Sequence, residues 1–462
     1  MSALDAMRTP AMMNLAQAAR AVSGTLEGAD VPFSGVTTDS RSVGAGDLFV
    51  ALQGERFDGH QFVAEAVRRG AAAAFTARRV ELDVPLAQVV VPDTRFALGQ
   101  LAASWRARFA IPLVALTGSN GKTTVKEMLA AILAAHEPAE DAVLATAGNL
   151  NNDIGMPLTL LRLRGRHRYA VIEMGMNHAG EIDYLTRIAK PTVALVNNAQ
   201  RAHVGILGSL GAIAYAKGEI YAGLGPEGTA VVNADDKYAD YWKGLNPGRR
   251  IVTFGFAAGA DVRAEKDAEA WRFAVPGGAF DVKLRVAGEH NVRNALAACA
   301  AAHALGVPSE AMEKALAVFT GVPGRLQRRR APSGAVVIDD SYNANPESMQ
   351  AALDVLAAEP GRRVFVMGDM GELGSLSAAL HAEVGEHARR AGIDILLATG
   401  EASRHAVDVF GPGGHHYDSV EQLQAAASAE ARAGTTLLVK GSRFMRMERV
   451  ADALTRGDRD AV

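Results

Sequence analysis

Short apolar runs alternate along this chain with stretches in which apolar positions recur at helical spacing. Residues 111–115 (Ile-Pro-Leu-Val-Ala) read as a strand, and Val125, Met128, Leu129, Ile132 and Leu133 then follow at i, i+3, i+4, i+7 and i+8, one face of a helix. The same reading predicts strands at 47–52, 71–76, 88–91, 169–173, 192–196 and 229–232, and helices over 61–69 and 95–109. Between 251 and 287, short apolar runs alternate with Gly and Asp, which predicts an antiparallel addition; Gly288–Asn294 then opens a helix that Gly306 stops. Strands at 335–339, 363–367, 394–398 and 435–439, about 30 residues apart with helical segments between, predict βαβ units and a parallel sheet.

The expected fold class is α/β in three domains. Residues 1–109 read as a small N-terminal α/β domain, 110–321 as a central P-loop ATPase-like parallel-sheet domain, and 322–462 as a C-terminal Rossmann-like domain. The length, 462 residues, supports two to four domains at roughly 100–200 residues each. A net charge of −3 implies neither a nucleic-acid surface nor an acidic tail. The single cysteine, Cys299, excludes an intrachain disulfide and a cysteine-rich metal site, and in its Ala-rich stretch it reads as a small buried apolar residue. Asp5 and Arg8 leave no apolar core for a signal peptide, and no run approaches the ~20 apolar residues of a membrane span. The expectation is a soluble, cytoplasmic monomer.

One stretch changes the picture most: Gly118-Ser119-Asn120-Gly121-Lys122-Thr123-Thr124, between the predicted strand and helix. Glycines let backbone N–H groups close around phosphate oxygens, and the helix start adds its positive dipole end. Lys122 supplies a point charge for the outer phosphates, and the Thr123 hydroxyl can hold Mg²⁺. The spacing departs from G-x-x-x-x-G-K, because Leu116 stands where the first glycine would be and Gly118 replaces it.

Other candidates are open on residue type alone. Glu173 ends a strand where a second Mg²⁺ ligand belongs, or is a structural acid. His203, after the 192–196 strand, is a ligand or an ordinary polar residue, and Lys217 reads as a solvated helix lysine. Asn149, Asn151 and Asn152 sit in a loop dense in donors and acceptors. Asn291 and Asn294, at i, i+3, share a helix face and suit an adenine edge or a helix cap. Two polar loops of the first unit, residues 37–41 and 56–60, lie near strand ends, where ligands bind in open sheets, or are plain turns. Strand ends of the third unit carry 339–346, 368–372, 399–401 and 440–443, which would gather at one sheet edge.

Taken in order, Thr117–Thr124, Glu173-Met174-Gly175, His203, Lys217-Gly218-Glu219, His290–Leu296 and Pro323-Gly324-Arg325 resemble the Mur ligase family, ATP-dependent amide-forming enzymes of peptidoglycan precursor synthesis, across essentially the whole chain. Within the family, Ala147–Gly155, Asp340–Pro346, Met367–Gly374 and Lys440–Arg443 resemble the member that adds D-alanyl-D-alanine to UDP-N-acetylmuramoyl-tripeptide. The Asp-Asn-Pro-Arg of the diaminopimelate-adding relative is absent. The resemblance implies ATP held by Gly118–Thr124, Asn291, Asn294, Arg325 and Asp340. It implies Mg²⁺ at Thr123, Glu173 and His203, with Lys217 carbamylated. It places Thr38, Ser40 and Arg41 at the uridine nucleotide, and Asn149, Asn151 and Asn152 at the muramoyl peptide. Tyr342, Asn343 and Asn345 fall at the incoming dipeptide, and Lys122, Glu173, His203, Lys217 and Arg325 form the catalytic set. Rival readings are a folylpolyglutamate-synthase-like ligase of the same fold and a P-loop switch that hydrolyses nucleotide to move a partner.

Overall fold

The strand ahead of the glycine loop, Leu113–Thr117, is buried along its whole length, because parallel neighbours flank it on both sides and helices cover its faces. This computed structural model describes residues 10–54, 57–267 and 269–456; Asp5, Arg8 and Arg56 lie outside them. Beside a two-stranded ribbon of Met13–Asn14 and Pro32–Phe33, three larger sheets follow one another along the described residues. The first, from Thr25–Glu27 to Ala87–Val90, has five strands, parallel except for the antiparallel Thr25–Glu27 edge. The second has nine, from Leu113–Thr117 to Gly278–Val282. Its last two pairings are antiparallel, the expected addition, but Arg250–Gly255 and Val262–Asp267 still pair in parallel. The third has six strands around Thr435–Lys440.

Two third-sheet strands went unpredicted. Gln327–Arg330 and Gly414–Tyr417 are edge strands, with water on one side, so they need no apolar run. The helix expected at 61–69 begins as a 3₁₀ turn at Gly59–Phe62, capped by the Asp58 carboxylate, and becomes α-helical only over Val63–Arg68. Cys299 is fully buried.

Leu113–Thr117 lies between Tyr169–Glu173 and Val193–Val196, and the chain crosses from one side of it to the other. That reversal opens a crevice at the strands' C-terminal ends. Register sets Glu173 beside Leu116 and Val196 beside Thr117, so the glycine loop, Glu173 and the 197–203 loop emerge together. In the third sheet, register sets Asp340 beside Lys440.

Candidate functional site

The glycine loop turns into the Lys122–His136 helix through Gly121, at φ +78°. A side chain there would be strained, and its Cβ would stand 2.2 Å from Asn294 Oδ1 and 2.7 Å from Asn197 Nδ2. Those two amides bond each other at 3.0 Å, and Asn197 also donates to the Asn120 carbonyl at 2.9 Å. The loop is held from behind by the 197–200 segment: Asn198 Oδ1 accepts from the Asn120 N–H at 2.9 Å, and the Gln200 N–H donates to Ser119 Oγ at 2.9 Å.

In front of the loop lies the chemistry. Thr123 Oγ1 donates to Glu173 Oε2 at 2.9 Å, and Asn151 Nδ2 donates to Glu173 Oε1 at 2.7 Å. Arg325 crosses from the third unit and donates to Thr123 Oγ1 at 2.8 Å. Lys122 Nζ folds back onto the Gly118 carbonyl at 2.7 Å. Burial pulls the Lys122 pKa below the ordinary lysine range, a shift the Glu173 charge opposes and the Arg325 charge reinforces. A phosphate entering here would favour the charged form.

Lys217 is 1% exposed, not the solvated helix lysine that its sequence context predicted. It lines the same cavity, and burial, reinforced by the Lys122 charge, pushes its pKa well down. Burial therefore shifts its amine toward the neutral form. His203 Nδ1 lies 2.5 Å from Glu372 Oε2, and the imidazole holds the Glu372 carboxyl below the ordinary range.

The cavity measures about 1240 Å³ and takes lining from all three units. It gathers nearly every predicted residue: Ser119–Thr124, Asn149, Asn151, Asn152, Glu173, His203, Lys217, Asn291, Asn294, Arg325, Asp340, Tyr342, Asn343 and Asn345. Gly118 does not line it; its carbonyl accepts from Lys122 Nζ. The cavity does not gather Thr38, Ser40 or Arg41: Ser40 is buried and donates to Glu65, and Arg41 pairs with Asp39 on the surface. Asn345, expected at the dipeptide, has another task. Its Oδ1 caps the Pro346–Ala357 helix and its Nδ2 donates to Asn120 Oδ1 at 2.7 Å, tying the third unit to the glycine loop. Asn152 Oδ1 accepts from the Gly155 N–H at 2.9 Å, which is turn chemistry. Asn291 and Asn294 do share a face, bonded at 3.2 Å, and neither is the helix cap.

Sequence reading missed the connections between units. Arg201 donates to Glu383 at 2.8 Å through both terminal nitrogens and reaches Glu347 through Nε at 2.5 Å. Arg95, on the first unit's last helix, pairs with Asp153 of the second. No local pattern announces these, because the partners lie 58 to 182 residues apart.

A glycine loop backed by amides and faced by a buried hydroxyl–carboxylate pair, with an arginine reaching in from another sheet, defines a P-loop nucleotide-binding α/β protein. Three family models cover the chain in order: "Mur ligase family, catalytic domain" at residues 32–106, "Mur ligase middle domain" at 116–302 and "Mur ligase, glutamate ligase domain" at 324–443. The UDP-N-acetylmuramoyl-tripeptide--D-alanyl-D-alanine ligase of Escherichia coli is 44% identical over 96% of this chain and 98% of its own length. The crystal structure of MurF from Acinetobacter baumannii superimposes with TM-score 0.87 at 40% identity, covering 95% of this chain and 98% of that one. MurF ligase from Thermotoga maritima, solved in complex with ADP, gives 0.79 at 30% identity, covering 91% and 96%. The chain belongs to the Mur ligase family.

Proposed function

We infer that this protein is an ATP-dependent ligase that joins D-alanyl-D-alanine to UDP-N-acetylmuramoyl-tripeptide, giving the pentapeptide precursor of peptidoglycan with ADP and phosphate. The relatives are named for that reaction along almost their whole length. The observation that carries it is the run Arg325–Thr123–Glu173, which links the third unit to the nucleotide loop across one shared cavity. A nucleotide switch needs no such second wall.

In this reading the tripeptide carboxylate attacks the γ-phosphorus of ATP, breaking its bond to the bridging oxygen and releasing ADP. Lys122 and Arg325 offset the charge spread over the transferred oxygens. The acyl phosphate so formed is then attacked by the dipeptide amine. The tetrahedral intermediate expels phosphate, and the amine's proton leaves to solvent or a nearby base. Enclosure by three units keeps water from the acyl phosphate.

Thr123 and Glu173, hard oxygen donors buried as a pair, fit Mg²⁺. Bound there, the ion would screen the phosphate oxygens. Among the described residues no three His, Cys, Asp or Glu side chains form a metal cluster, so a second ion at His203 needs another oxygen donor. A carbamate on Lys217 would supply it, and burial shifts that amine toward the neutral form, the one that adds CO₂.

The proposed division of labour has 1–109 hold the UDP-sugar, with Thr38, Ser40 and Arg41 toward uridine, 110–321 hold ATP, and 322–462 supply Arg325 and Asp340. Asn291 and Asn294 are proposed at adenine, and Asn149 and Asn151 at the muramoyl peptide. We propose that it acts in the cytoplasm, on the ground that its substrates are UDP-linked precursors; separately, among the described residues no helix is long and apolar enough to cross a membrane. We propose that it acts as a monomer.

The test is phosphate release from ATP and Mg²⁺ with each acceptor alone and with both. Release that needs both, with a pentapeptide product by mass, is expected. Release without either, or with glutamate and a folate, would overturn the assignment.

A further inference from the structure

The dipeptide brings a second charged group into the cavity. Its amine must reach the acyl carbon beside Arg325 and Thr123, while its free carboxylate needs a cation or donors of its own once water is shed. The third unit lines the cavity with three cations: Arg325, Lys440 and Arg443. Arg325 is committed to Thr123. Lys440 is 3% exposed and bound to Asp340 and to the Asn343 carbonyl at 2.9 Å. Arg443 is different. Its side chain is 63% exposed, and its ion pair is one contact through Nη1 to Glu448 at 3.2 Å on its own surface turn. Such a pair holds it weakly.

The Tyr342 ring spaces the two arginines. The guanidinium carbon of Arg325 lies 4.1 Å from the ring centroid and that of Arg443 lies 5.8 Å from it. Those distances keep the two guanidinium carbons within about 10 Å of each other, against roughly 7 Å for an extended dipeptide. Beside Arg443, Phe444 also lines the cavity and is 64% exposed, a large apolar surface left open. Gly371 permits its position, since a Cβ there would meet the Phe444 ring at 3.0 Å.

Resting on the ligase reading above, we propose that Arg443 takes the terminal carboxylate of D-alanyl-D-alanine and that Phe444 packs on its methyl groups. Arg443 is then the residue that requires the acceptor to end in a free carboxylate. The planar fork suits that group, with two parallel N–H donors for two oxygens.

The experiment measures phosphate release with ATP, Mg²⁺, the UDP-linked tripeptide and either D-alanyl-D-alanine or its C-terminal amide. The wild type should prefer the free acid. Arg443→Gln should raise KM for D-alanyl-D-alanine roughly 10- to 100-fold, leave KM for ATP and tripeptide unchanged, and erase the preference over the amide. Arg443→Lys should recover part of the preference. Since the side chain is largely in solvent, neither variant should move Tm. An Arg443→Gln enzyme that still prefers the acid, or whose loss falls on ATP, would overturn the proposal. A wild type whose phosphate release ignores the dipeptide would instead overturn the ligase reading itself.

Discussion

Lys217 is a fully buried amine whose burial works against stability while the group stays unmodified. Its pKa lies well below the ordinary lysine value because burial disfavours the charged form, so below the lysine range the folded protein binds this proton less readily than the unfolded chain does. Folding therefore gains stability as pH rises toward the lysine range, and at pH 7 the unmodified amine is a cost. Lys217→Met should keep or raise Tm at pH 7, with the gain shrinking toward pH 10, while ligase turnover falls about 100-fold or more. Calorimetry across pH, beside a phosphate-release assay, measures both. A lower Tm would mean that the lysine head group is modified and bonded in the native protein.

The glycine loop and its helix form the element on which nucleotide binding depends. Gly121 needs its left-handed backbone, and the space for a Cβ is taken by Asn197 and Asn294. Gly121→Ala should cost about 1–2 kcal/mol for the backbone alone, more if the Asn197–Asn294 bond breaks. Differential scanning calorimetry should record a Tm lower by several degrees, and titration with a non-hydrolysable ATP analogue should give much weaker binding. An unchanged affinity would show that the amide backing does not shape the phosphate cradle. The same loop makes a point about legibility: glycine, lysine and threonine stand in the sequence at their working positions, because a phosphate cradle is local backbone geometry. Its support is not local. Lys126, on the same helix, is 1% exposed and donates to the Thr146 carbonyl at 2.6 Å, and nothing in its helical spacing distinguishes it from a surface lysine.

At the scale of the whole molecule, the 201–205 segment docks the third unit. Arg201 grips Glu347 and Glu383, His203 meets Glu372, and the Gly205 N–H donates to the Glu372 carbonyl at 3.0 Å. A Cβ on Gly205 would stand 2.5 Å from the Gly374 nitrogen, on the backbone of the other unit. Gly205→Ala should therefore leave each unit folded and hold the third one off. Small-angle scattering should show a larger radius of gyration with unchanged far-UV circular dichroism, and turnover should fall at least tenfold. The docking acids also set a pH dependence. His203 holds Glu372 below the ordinary glutamate range, and Arg201 does the same for Glu383. A lowered carboxyl pKa contributes fully to docking above the ordinary glutamate range, and that contribution is lost as pH falls from that range through the lowered value. Wild-type scattering should therefore hold its radius from pH 7 to about pH 5 and expand only at lower pH, before helix content is lost, and Arg201→Ala should show the expansion already at pH 7. A radius that stays constant would mean that the polar bridges are incidental to closure.

Periodicity, punctuation and local motifs were enough to mark the α/β class, the strands buried on both faces, the glycine loop with Lys122 and Thr123, and the candidate ligand Glu173, while His203 became a candidate only through the family resemblance. Those features depend on near neighbours in the chain, and near neighbours are what a sequence displays. Edge strands escaped because one side in water relaxes the apolar requirement. The burial of Lys217, the capping and bridging task of Asn345, the Arg201 grip and the approach of both Arg325 and Arg443 to the Tyr342 ring were decided by tertiary structure. Each depends on which strand ends share a crevice, and parallel sheets bring together loops more than a hundred residues apart without leaving a trace in either one.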